Sequence, residues 1–307
     1  MRISDGELLR AFPGNALRSQ TAMTFKAAAI QMCSGVDPAR NAETMARLVR
    51  EAAGHGAIYV QTPEMTGALQ RDRAGLRAVL KDEANDIIVR EAAALAGELG
   101  IHLHVGSTAI ALADGKIANR GFLFGPDGVK ICDYDKIHMF DVDLDNGESW
   151  RESAAYTPGS TARLADLDFG KLGFAICYDV RFPELFRQQA VAGAEVMSVP
   201  AAFTRQTGEA HWEILLRARA IENGFFVIAA AQGGVHEDGR ETFGHSMIVD
   251  PWGKVLAAAG AAGEGIVLAE IDVAAVHVAR AKIPNLRNAR SFGLDHVLPT
   301  GKGGVAA

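Results

Sequence analysis

The sequence predicts an α/β protein with a mixed sheet, or two packed sheets, covered by helices on the outside. Three observations predict this fold class. Short apolar runs alternate with amphipathic helical patterns from residue 25 onwards, the second half repeats the pattern of the first, and short turns join the later strands. Short turns connect antiparallel neighbours, so a purely parallel sheet is not expected.

The first half of the chain begins with an apolar run that is typical of a buried strand. A helical pattern follows and ends in glycine, which is a common helix stop. Two further strand patterns flank the turn signal PDG. The predicted strands are residues 26–33, 57–64, 101–110, 119–125 and 129–136, and the predicted helices are residues 38–56 and 83–99.

The second half follows the same order of strands and helices. One helical pattern is stopped by Gly224. The turn DPWG connects two of the later apolar runs and indicates an antiparallel pair. The predicted strands are residues 171–179, 195–203, 225–232, 244–251 and 264–272, and the predicted helices are residues 183–194 and 210–224.

Composition excludes several classes of function. The 307 residues carry a formal net charge of −6 and no Lys/Arg cluster, which argues against nucleic acid as a partner. Neither GxGxxG after a strand nor GxxxxGK[ST] occurs, and HExxH and GxSxG are absent as well. Nucleotide-binding, metalloprotease and serine-hydrolase interpretations therefore lack their usual motifs.

The cysteines and the chain ends indicate a cytoplasmic protein. Three cysteines at irregular spacing do not suggest a disulfide framework, and no CxxC pair suggests zinc. Residues 1–24 have no continuous apolar stretch, so we expect a loose N-terminal tail and no membrane segment. Met23 is an alternative start of translation. Residues 286–307 are expected to be a C-terminal tail that contributes to a subunit interface.

Cys177 is a candidate nucleophile. It closes the apolar run LGFAIC and is followed by a polar turn, and the nearby helix N-terminus is expected to favour its thiolate. An isolated cysteine at this place is also compatible with a small buried apolar residue. The polar cluster that follows, Asp179, Arg181 and Glu184, favours the functional interpretation. Cys33 and Cys132 lie inside strand patterns and are expected to be buried.

Glu64 and Lys136 are the two candidate partners of this cysteine. Glu64 ends the second predicted strand, where partial burial would raise its pKa and suit it to act as a general base. Lys136 lies at the end of a strand and, paired with Glu64, could stabilise an oxyanion. Taken alone, Glu64 is more typical of a solvated strand end or a helix cap, and Lys136 is more typical of a surface lysine.

Together, the three positions resemble a known family. The segments QTPEMTG (61–67), YDKIHMFDVD (134–143) and AICYDVRFPE (175–184) are similar to the three signature blocks of the nitrilase, or carbon–nitrogen hydrolase, superfamily, and occur in the same order. The resemblance extends over residues 25–285 and predicts one carbon–nitrogen hydrolase domain. Further similar segments are residues 151–159, 202–232 and 244–257.

The resemblance implies an α-β-β-α sandwich with a Glu-Lys-Cys triad. By this similarity Glu64 is the general base, Cys177 is the nucleophile, and Lys136 stabilises the tetrahedral intermediate together with the backbone N–H of Tyr178. Glu152 matches a second family glutamate that orients Lys136 and the substrate amide, with Glu148 as the alternative. The implied reaction passes through an acyl-thioester, releases ammonia, and needs no metal or organic cofactor.

The resemblance also narrows the substrate to a small-molecule amide. The chain has Cys-Tyr-Asp where true nitrilases have Cys-Trp-Glu, which favours an amidase. CYDVRFPE and GHSMIVDPWG resemble the Nit branch, which contains deaminated glutathione amidase and ω-amidase. The substrates of both enzymes carry carboxylates, and Arg181 is a candidate to bind one of them. The sequence is equally compatible with an internal ion pair between Arg181 and Asp179 or Glu184.

Other residues near these blocks have both structural and functional interpretations. Phe203, Thr204 and His211 are candidates for the wall of the substrate pocket, and each is also compatible with a structural role. His102 and His104 share one strand face and are interpreted as structural, because no third metal ligand accompanies them. The family resemblance implies assembly as a homodimer or homotetramer.

Two other interpretations remain open. The first is another enzyme of the same superfamily, such as an N-carbamoyl amino acid hydrolase or an aliphatic amidase. The second is a catalytically silent scaffold or ligand-binding protein that has kept the fold. The presence of all three triad residue types favours an enzyme.

Overall fold

The computed structural model describes residues 24–144, 147 and 149–296. The predicted N-terminal tail up to residue 23, with the alternative start Met23, lies outside the described residues, as do Glu148 and residues 297–307. Two six-stranded sheets pack face to face and carry helices on their outer faces, which confirms the predicted α-β-β-α sandwich.

The strands are short and follow the apolar runs of the sequence. They are β1 (Thr24–Gln31), β2 (Tyr59–Gln61), β3 (His102–Ala111), β4 (Ile117–Phe124), β5 (Lys130–Asp135), β6 (Asp141–Asp143), β7 (Ser149–Arg151), β8 (Leu164–Leu167), β9 (Gly170–Phe174), β10 (Val196–Ser198), β11 (Phe226–Ala229), β12 (Gly233–Val235), β13 (Glu241–Phe243), β14 (Met247–Val249), β15 (Val255–Ala258) and β16 (Gly265–Asp272).

The helices occupy the positions between these strands. They are α1 (Pro38–Gly54), α2 (Arg73–Val79), α3 (Ile87–Leu99), α4 (Pro183–Val191), α5 (Arg205–Asn223) and α6 (Ala274–Lys282). The sequence did not predict α2 and α6. Both are short, and only Leu76 in α2 and two residues in α6 are buried, so neither presents a long apolar stripe.

The two sheets share one topology. The first has the order β16-β1-β2-β3-β4-β5, and the second has the order β15-β14-β11-β10-β9-β8. In each sheet three central strands are parallel, and the flanking strands are antiparallel. This confirms both the mixed sheet and the repetition of the first half by the second. The chain also forms two separate hairpins, β6-β7 and β12-β13.

The alternation of side chains along β1 shows how the layers are held together. Ala27 and Ala29 face the second sheet and pack in one core with Phe174, whereas Ala28 and Ile30 face the helices and pack with Leu48 of α1. Successive residues of a strand point to opposite faces. Because both faces of this strand are covered, it reads as a continuous apolar run.

Strand β9 ends earlier than predicted, and this difference shapes the site. The predicted strand continued to residue 179, but β9 ends at Phe174 and residues 177–181 form a single turn of 3-10 helix. The Asp179 carboxylate accepts a hydrogen bond from the backbone N–H of Ile176 at 2.9 Å and so closes the turn. The chain therefore bends at Cys177.

The ends of the described chain add two observations. Residues 287–296, which belong to the predicted C-terminal tail, are exposed to solvent. Within the described residues, none of the helices combines the length and the apolar composition that crossing a bilayer requires.

Candidate active site

The three residues of the predicted triad line one cavity of about 310 Å³. Each lies just beyond the end of a strand. Glu64 follows β2, Lys136 directly follows β5, and Cys177 follows β9. The first sheet therefore contributes two of these side chains and the second contributes the third, so the cavity opens where the two sheets meet.

Glu64 is buried, with 4% of its surface exposed, and both carboxylate oxygens are hydrogen-bonded. Oε1 accepts from Lys136 Nζ and from Asn119 Nδ2, each at 2.9 Å. Oε2 accepts from the backbone N–H of Ala202 at 2.9 Å. These donors fix the carboxylate in one orientation.

The expected rise in the pKa of Glu64 is wrong. Burial by itself raises the pKa, but the charge of Lys136 and the hydrogen bonds from Lys136, Cys177 and Asn119 outweigh it and hold the pKa below its usual value. Glu64 is therefore a carboxylate at neutral pH and can accept a proton.

Lys136 is a buried cation held between two carboxylates, not a surface lysine. Its Nζ donates to Glu64 at 2.9 Å and to Oε1 and Oε2 of Glu152 at 3.0 and 2.8 Å. Burial opposes the charge, but Glu152, Glu64 and Cys177 raise the pKa of Lys136 well above its usual value. Glu152 Oε2 also accepts from the backbone N–H of Phe140 at 2.7 Å. The position of Glu152 fits an orienting role toward Lys136.

Cys177 is buried at 7% exposure and has a backbone φ of +49°. A non-glycine residue with positive φ is uncommon and strained, and such residues cluster at functional sites. The backbone N–H of Cys177 donates to the carbonyl of Pro200 at 2.8 Å, which anchors the bend to the loop after β10. The bend places the sulfur in the cavity beside Glu64 and Lys136.

The expectation that a helix N-terminus favours the thiolate is also wrong. Burial raises the pKa of Cys177 well above its usual value, and the charge of Glu64 adds to this rise, whereas Lys136 opposes it. The resting site therefore contains a thiol, a carboxylate and an ammonium. This is the protonation state from which Glu64 can take the thiol proton as the sulfur attacks a carbonyl carbon.

A buried carboxylate connects the Cys177 turn with the segment after Lys136. Asp179 Oδ1 accepts from the backbone N–H of His138 at 3.0 Å and from its Nδ1 at 2.7 Å. Asp179 Oδ2 accepts from the hydroxyl of Tyr134 at 2.7 Å. Asp179 is therefore occupied by these donors rather than by Arg181.

The structure divides the other predicted pocket residues into two groups. Tyr178, Phe203 and Thr204 line the cavity. Arg181 and His211 are not among the described residues that line it. Instead, Arg181 Nη1 lies 3.3 Å from His211 Nδ1, and its guanidinium lies over the rings of Tyr178 and Phe203.

Sequence reasoning missed three residues of the site. Asn119 Nδ2 bridges Glu64 and Glu152, Gln232 Nε2 donates to the carbonyl of Glu64 at 3.0 Å, and Arg240 lines the cavity. Asn119 had a detectable signal, because it is a polar residue at an inward position of an apolar strand. Gln232 lies in the loop between β11 and β12, and Arg240 lies in the turn between β12 and β13; no sequence pattern distinguishes either residue.

The two histidines interpreted as structural lie on β3, away from the cavity. His104 is buried, its Nδ1 lies 2.8 Å from the hydroxyl of Tyr59, and burial lowers its pKa to about 3. His102 Nε2 lies 3.7 Å from Asp168 Oδ1. The first contact lies inside the core, and the second joins β3 to an exposed aspartate at the surface.

Several known proteins are similar to this chain in sequence and in fold. A model of the carbon-nitrogen hydrolase family matches residues 26–281. The deaminated glutathione amidase of Yersinia enterocolitica is 42% identical over 232 residues, which cover 75% of this chain and 80% of that protein.

Two solved structures extend the comparison to three dimensions. The C. elegans NitFhit protein matches with a TM-score of 0.80 and 34% identity over 87% of this chain and 65% of its own, so this chain spans just under two thirds of NitFhit. A mutant amidase from Nesterenkonia sp. AN1 matches with a TM-score of 0.71 and 25% identity over 86% and 99% of the two chains. In that structure acrylamide has undergone Michael addition at the active-site cysteine.

The family match covers most of the chain and includes all three strand ends that meet in the cavity. Two of these relatives, the Yersinia protein and the Nesterenkonia protein, are named as amidases, which agrees with the family model. From the sequence match, the shared fold and the cavity, we conclude that this chain belongs to the carbon-nitrogen hydrolase family.

Proposed function

We propose that this protein is an amidase that cleaves the carbon–nitrogen bond of a small carboxylate-bearing amide, with Cys177 as nucleophile, Glu64 as general base and Lys136 as the oxyanion partner. One observation carries the proposal. A buried lysine is shared by two carboxylates, and a thiol lies beside it in the same cavity. A buried ammonium is costly unless it is compensated, so its retention here favours a chemical role.

The proposed first half of the reaction forms an acyl-thioester. The Cys177 sulfur attacks the amide carbon while Glu64 accepts the thiol proton. Negative charge develops on the carbonyl oxygen and is stabilised by Lys136 and the backbone N–H of Tyr178. Glu64 then gives its proton to the departing nitrogen. Glu152 keeps Lys136 in place and orients the substrate amide.

The proposed second half restores the enzyme. A water molecule gives a proton to Glu64 and attacks the thioester carbon, and the Cys177 sulfur leaves as the carboxylic acid forms. The sulfur recovers its proton from Glu64. The charges of Glu64, Lys136 and Glu152 are the same at the start and the end, so the site is ready for the next substrate. The proposed reaction requires no metal or organic cofactor.

Deaminated glutathione is the substrate that the relatives favour, since the Yersinia protein is named for its amidase activity on that compound. Its amide nitrogen carries the cysteinylglycine part of glutathione, so the leaving group would be an amine, whereas a primary amide would release ammonia. The alternative within this branch is an ω-amidase that acts on 2-oxo-acid amides. Both substrates combine an amide with a carboxylate and fit a cavity with basic side chains.

Two alternative functions would give different results in the substrate test. An N-carbamoyl amino acid hydrolase would use the same three residues on a carbamoyl carbon. A silent scaffold would keep the fold without turnover. The lowered pKa of Glu64 and the raised pKa of Lys136 favour an enzyme, because they give the ionised pair that the reaction needs.

The test is a substrate panel with matched cysteine variants. Purified protein is assayed with deaminated glutathione, 2-oxo-acid amides, an N-carbamoyl amino acid and a nitrile, and both the acid and the nitrogen product are measured. Cys177→Ala should abolish turnover, while Cys33→Ala and Cys132→Ala should keep it, because neither of those thiols lines the described part of the cavity. Rapid turnover of the carbamoyl compound alone, or no turnover of any compound, would contradict the proposed substrate class.

We also propose that the protein acts in the cytoplasm as a homodimer or homotetramer. The free thiols Cys33, Cys132 and Cys177 are consistent with a reducing compartment. Apolar side chains project from α5 and α6, with Ile214 69% exposed and Val278 52% exposed, and such side chains are candidates for a subunit interface. Light scattering coupled to gel filtration would give the mass in solution, and a monomer at micromolar concentration would contradict the proposed assembly.

A further inference from the structure

One atom of a cavity-lining cation, Nε of Arg240, is buried without a hydrogen-bond partner among the described residues. The side chain of Arg240 is only 17% exposed, and its Nε lies 3.8 Å from Asp238 Oδ2. That distance is too long for a hydrogen bond. Among the described residues, neither Arg240 Nε nor Asp238 Oδ2 finds any other hydrogen-bond partner. Buried polar atoms are normally paired, so the unpaired Nε indicates a missing acceptor.

A second arginine lies close to Arg240. The Cζ atom of Arg240 is 4.4 Å from the centroid of the Trp150 ring, and the Cζ atom of Arg71 is 5.2 Å from the same centroid. Both arginines line the cavity that contains Cys177. The side chain of Arg71 is exposed and is ion-paired with none of the described residues. Two cations against one ring repel each other unless an anion lies near them.

The electrostatics of Arg240 agree with this geometry. Burial lowers the pKa of Arg240, Asp238 and Glu64 oppose this effect, and Arg71 adds to it. Glu64 is thus near enough for its charge to act on Arg240. Arg151, another arginine that lines the cavity, donates hydrogen bonds to both carboxylate oxygens of Asp143 at 2.9 and 2.8 Å, whereas Arg240 lies 3.8 Å from its carboxylate neighbour Asp238 and forms no hydrogen bond to it through Nε. Arg240 is the buried cation of the cavity that an incoming anion would best compensate.

We propose that Arg240, assisted by Arg71, binds a carboxylate of the substrate. The protein then prefers amides whose acyl chain carries a carboxylate at the end away from the amide group. This inference rests on the proposed amidase function. Arginine binds carboxylates through two parallel N–H groups, which fixes the orientation of the ligand as well as its charge. Arg181, the candidate that the sequence suggested, is not among the described residues that line the cavity and lies beside His211 instead.

The first test compares two amides of similar size and shape that differ in one group. Succinamate carries a carboxylate where butyramide carries a methyl group. The ratio of kcat/KM for succinamate to that for butyramide should fall roughly a hundredfold in Arg240→Gln, because a buried charge-paired contact is lost. Arg240→Lys keeps the charge but not the paired geometry and should give an intermediate ratio. The exposed Arg71→Gln should lower the ratio severalfold.

Controls separate a specific effect from a structural one. Arg90→Gln changes an exposed arginine on α3 and should leave the ratio unchanged. Arg181→Gln tests the competing residue. The assignment of Arg240 is wrong if Arg181→Gln lowers the ratio and Arg240→Gln does not. It is also wrong if Arg240→Gln lowers kcat/KM for succinamate and kcat/KM for butyramide by the same factor.

A binding measurement distinguishes failure of this subsite from failure of the amidase proposal. Succinamate binding is measured by calorimetry on Cys177→Ala and on the double variant Cys177→Ala, Arg240→Gln, neither of which requires turnover. We expect binding to Cys177→Ala and a loss of about thirtyfold or more in the double variant. Equal affinities, or no binding to either protein, would overturn the carboxylate subsite even if the wild type hydrolyses butyramide. Binding that depends on Arg240 without hydrolysis of any amide would retain the subsite and reject the enzyme.

Discussion

The carboxylate of Asp179 accepts two hydrogen bonds from His138, one from its backbone N–H at 3.0 Å and one from its Nδ1 at 2.7 Å. Asp179 lies two residues after Cys177, and His138 lies two residues after Lys136. These bonds therefore connect the two segments that carry the proposed nucleophile and the proposed oxyanion partner. Since the segments belong to different sheets, this pair helps to set the distance between sulfur and ammonium.

Asp179→Asn is the first prediction. An amide in this place would direct an N–H group toward donors, because both oxygens of Asp179 accept hydrogen bonds from N–H or O–H groups. A mismatch of this kind costs about 1–3 kcal/mol. We expect kcat to fall roughly tenfold to a hundredfold with little change in KM, as measured by steady-state kinetics.

The control for this variant is Asp166→Asn. Asp166 is an exposed aspartate that pairs with Lys171 on the surface. The Asp166→Asn variant should have the kcat and the melting temperature of the wild type. An Asp179→Asn protein with wild-type kcat would show that the link between the segments does not position the reacting groups.

The second prediction concerns the reactivity of Cys177. Because burial and Glu64 raise the pKa of the thiol, the resting site holds little thiolate at neutral pH. Alkylation of Cys177 by iodoacetamide, followed by mass spectrometry of the modified peptide, should accelerate as the pH rises through 9 and show no plateau below it. A plateau between about pH 6 and 7 would indicate a stabilised thiolate and contradict the raised pKa.

The third prediction concerns stability in acid. The pKa of Glu64 in the folded protein lies below the usual value of 4.5. Its ionisation therefore stabilises the fold above pH 4.5, and this contribution is lost as the pH falls through the lower, folded pKa. Wild type should therefore be more strongly stabilised relative to Glu64→Gln at pH 7 than at pH 3, when the free energies of unfolding of the two proteins are compared.

Urea unfolding at both pH values measures this difference. The exposed Glu184→Gln serves as the matched surface control. If the difference between wild type and Glu64→Gln were the same at both pH values, Glu64 would not be held as an ion by its neighbours.

The fourth prediction concerns Asn119, which donates to Glu64 at 2.9 Å and to Glu152 at 3.1 Å. Asn119→Ala removes both bonds and leaves the two carboxylates without this shared donor. We expect kcat/KM to fall about tenfold to a hundredfold. Asn119→Asp should be worse, because it places a third negative charge between them. Activity in Asn119→Asp equal to or above that of Asn119→Ala would contradict this electrostatic role.

The layered fold could be predicted because its signal is local. The apolar run that contains Ala27 to Ile30 is buried on both faces, and such a run is visible in the sequence. The end of β9 could not be predicted in the same way. Its position depends on the Asp179 carboxylate, which closes the turn after Ile176, and a periodicity argument does not detect that bond.

The positions of Glu64, Lys136 and Cys177 could be inferred from three separated motifs, but their protonation states could not. The sequence suggested a raised pKa for Glu64 and a stabilised thiolate at Cys177, and both were wrong. Each pKa is set by side chains that approach from distant parts of the chain, such as Lys136 at Glu64. Local reasoning fails most often where a site combines buried charges from several elements.

The carboxylate-binding hypothesis shows the same limit. Arg181 is the carboxylate-binding candidate that the sequence suggests, because it lies four residues after the cysteine. In three dimensions the guanidinium of Arg181 lies over Phe203 and beside His211. Arg240 lines the cavity, although it lies 63 residues after Cys177 in the chain. Proximity along the chain is a poor guide to proximity across a cavity formed by two sheets.

The most direct test of the central claim is the mass of the intact protein during turnover. Wild-type protein mixed with an amide that it hydrolyses, and quenched in acid within milliseconds to seconds, should gain the mass of the acyl group on Cys177. Cys33→Ala should show the same adduct, and Cys177→Ala should show none and should not hydrolyse the amide. Hydrolysis by Cys177→Ala at a rate near that of the wild type, or an adduct that persists in this variant, would contradict the assignment of Cys177 as the nucleophile.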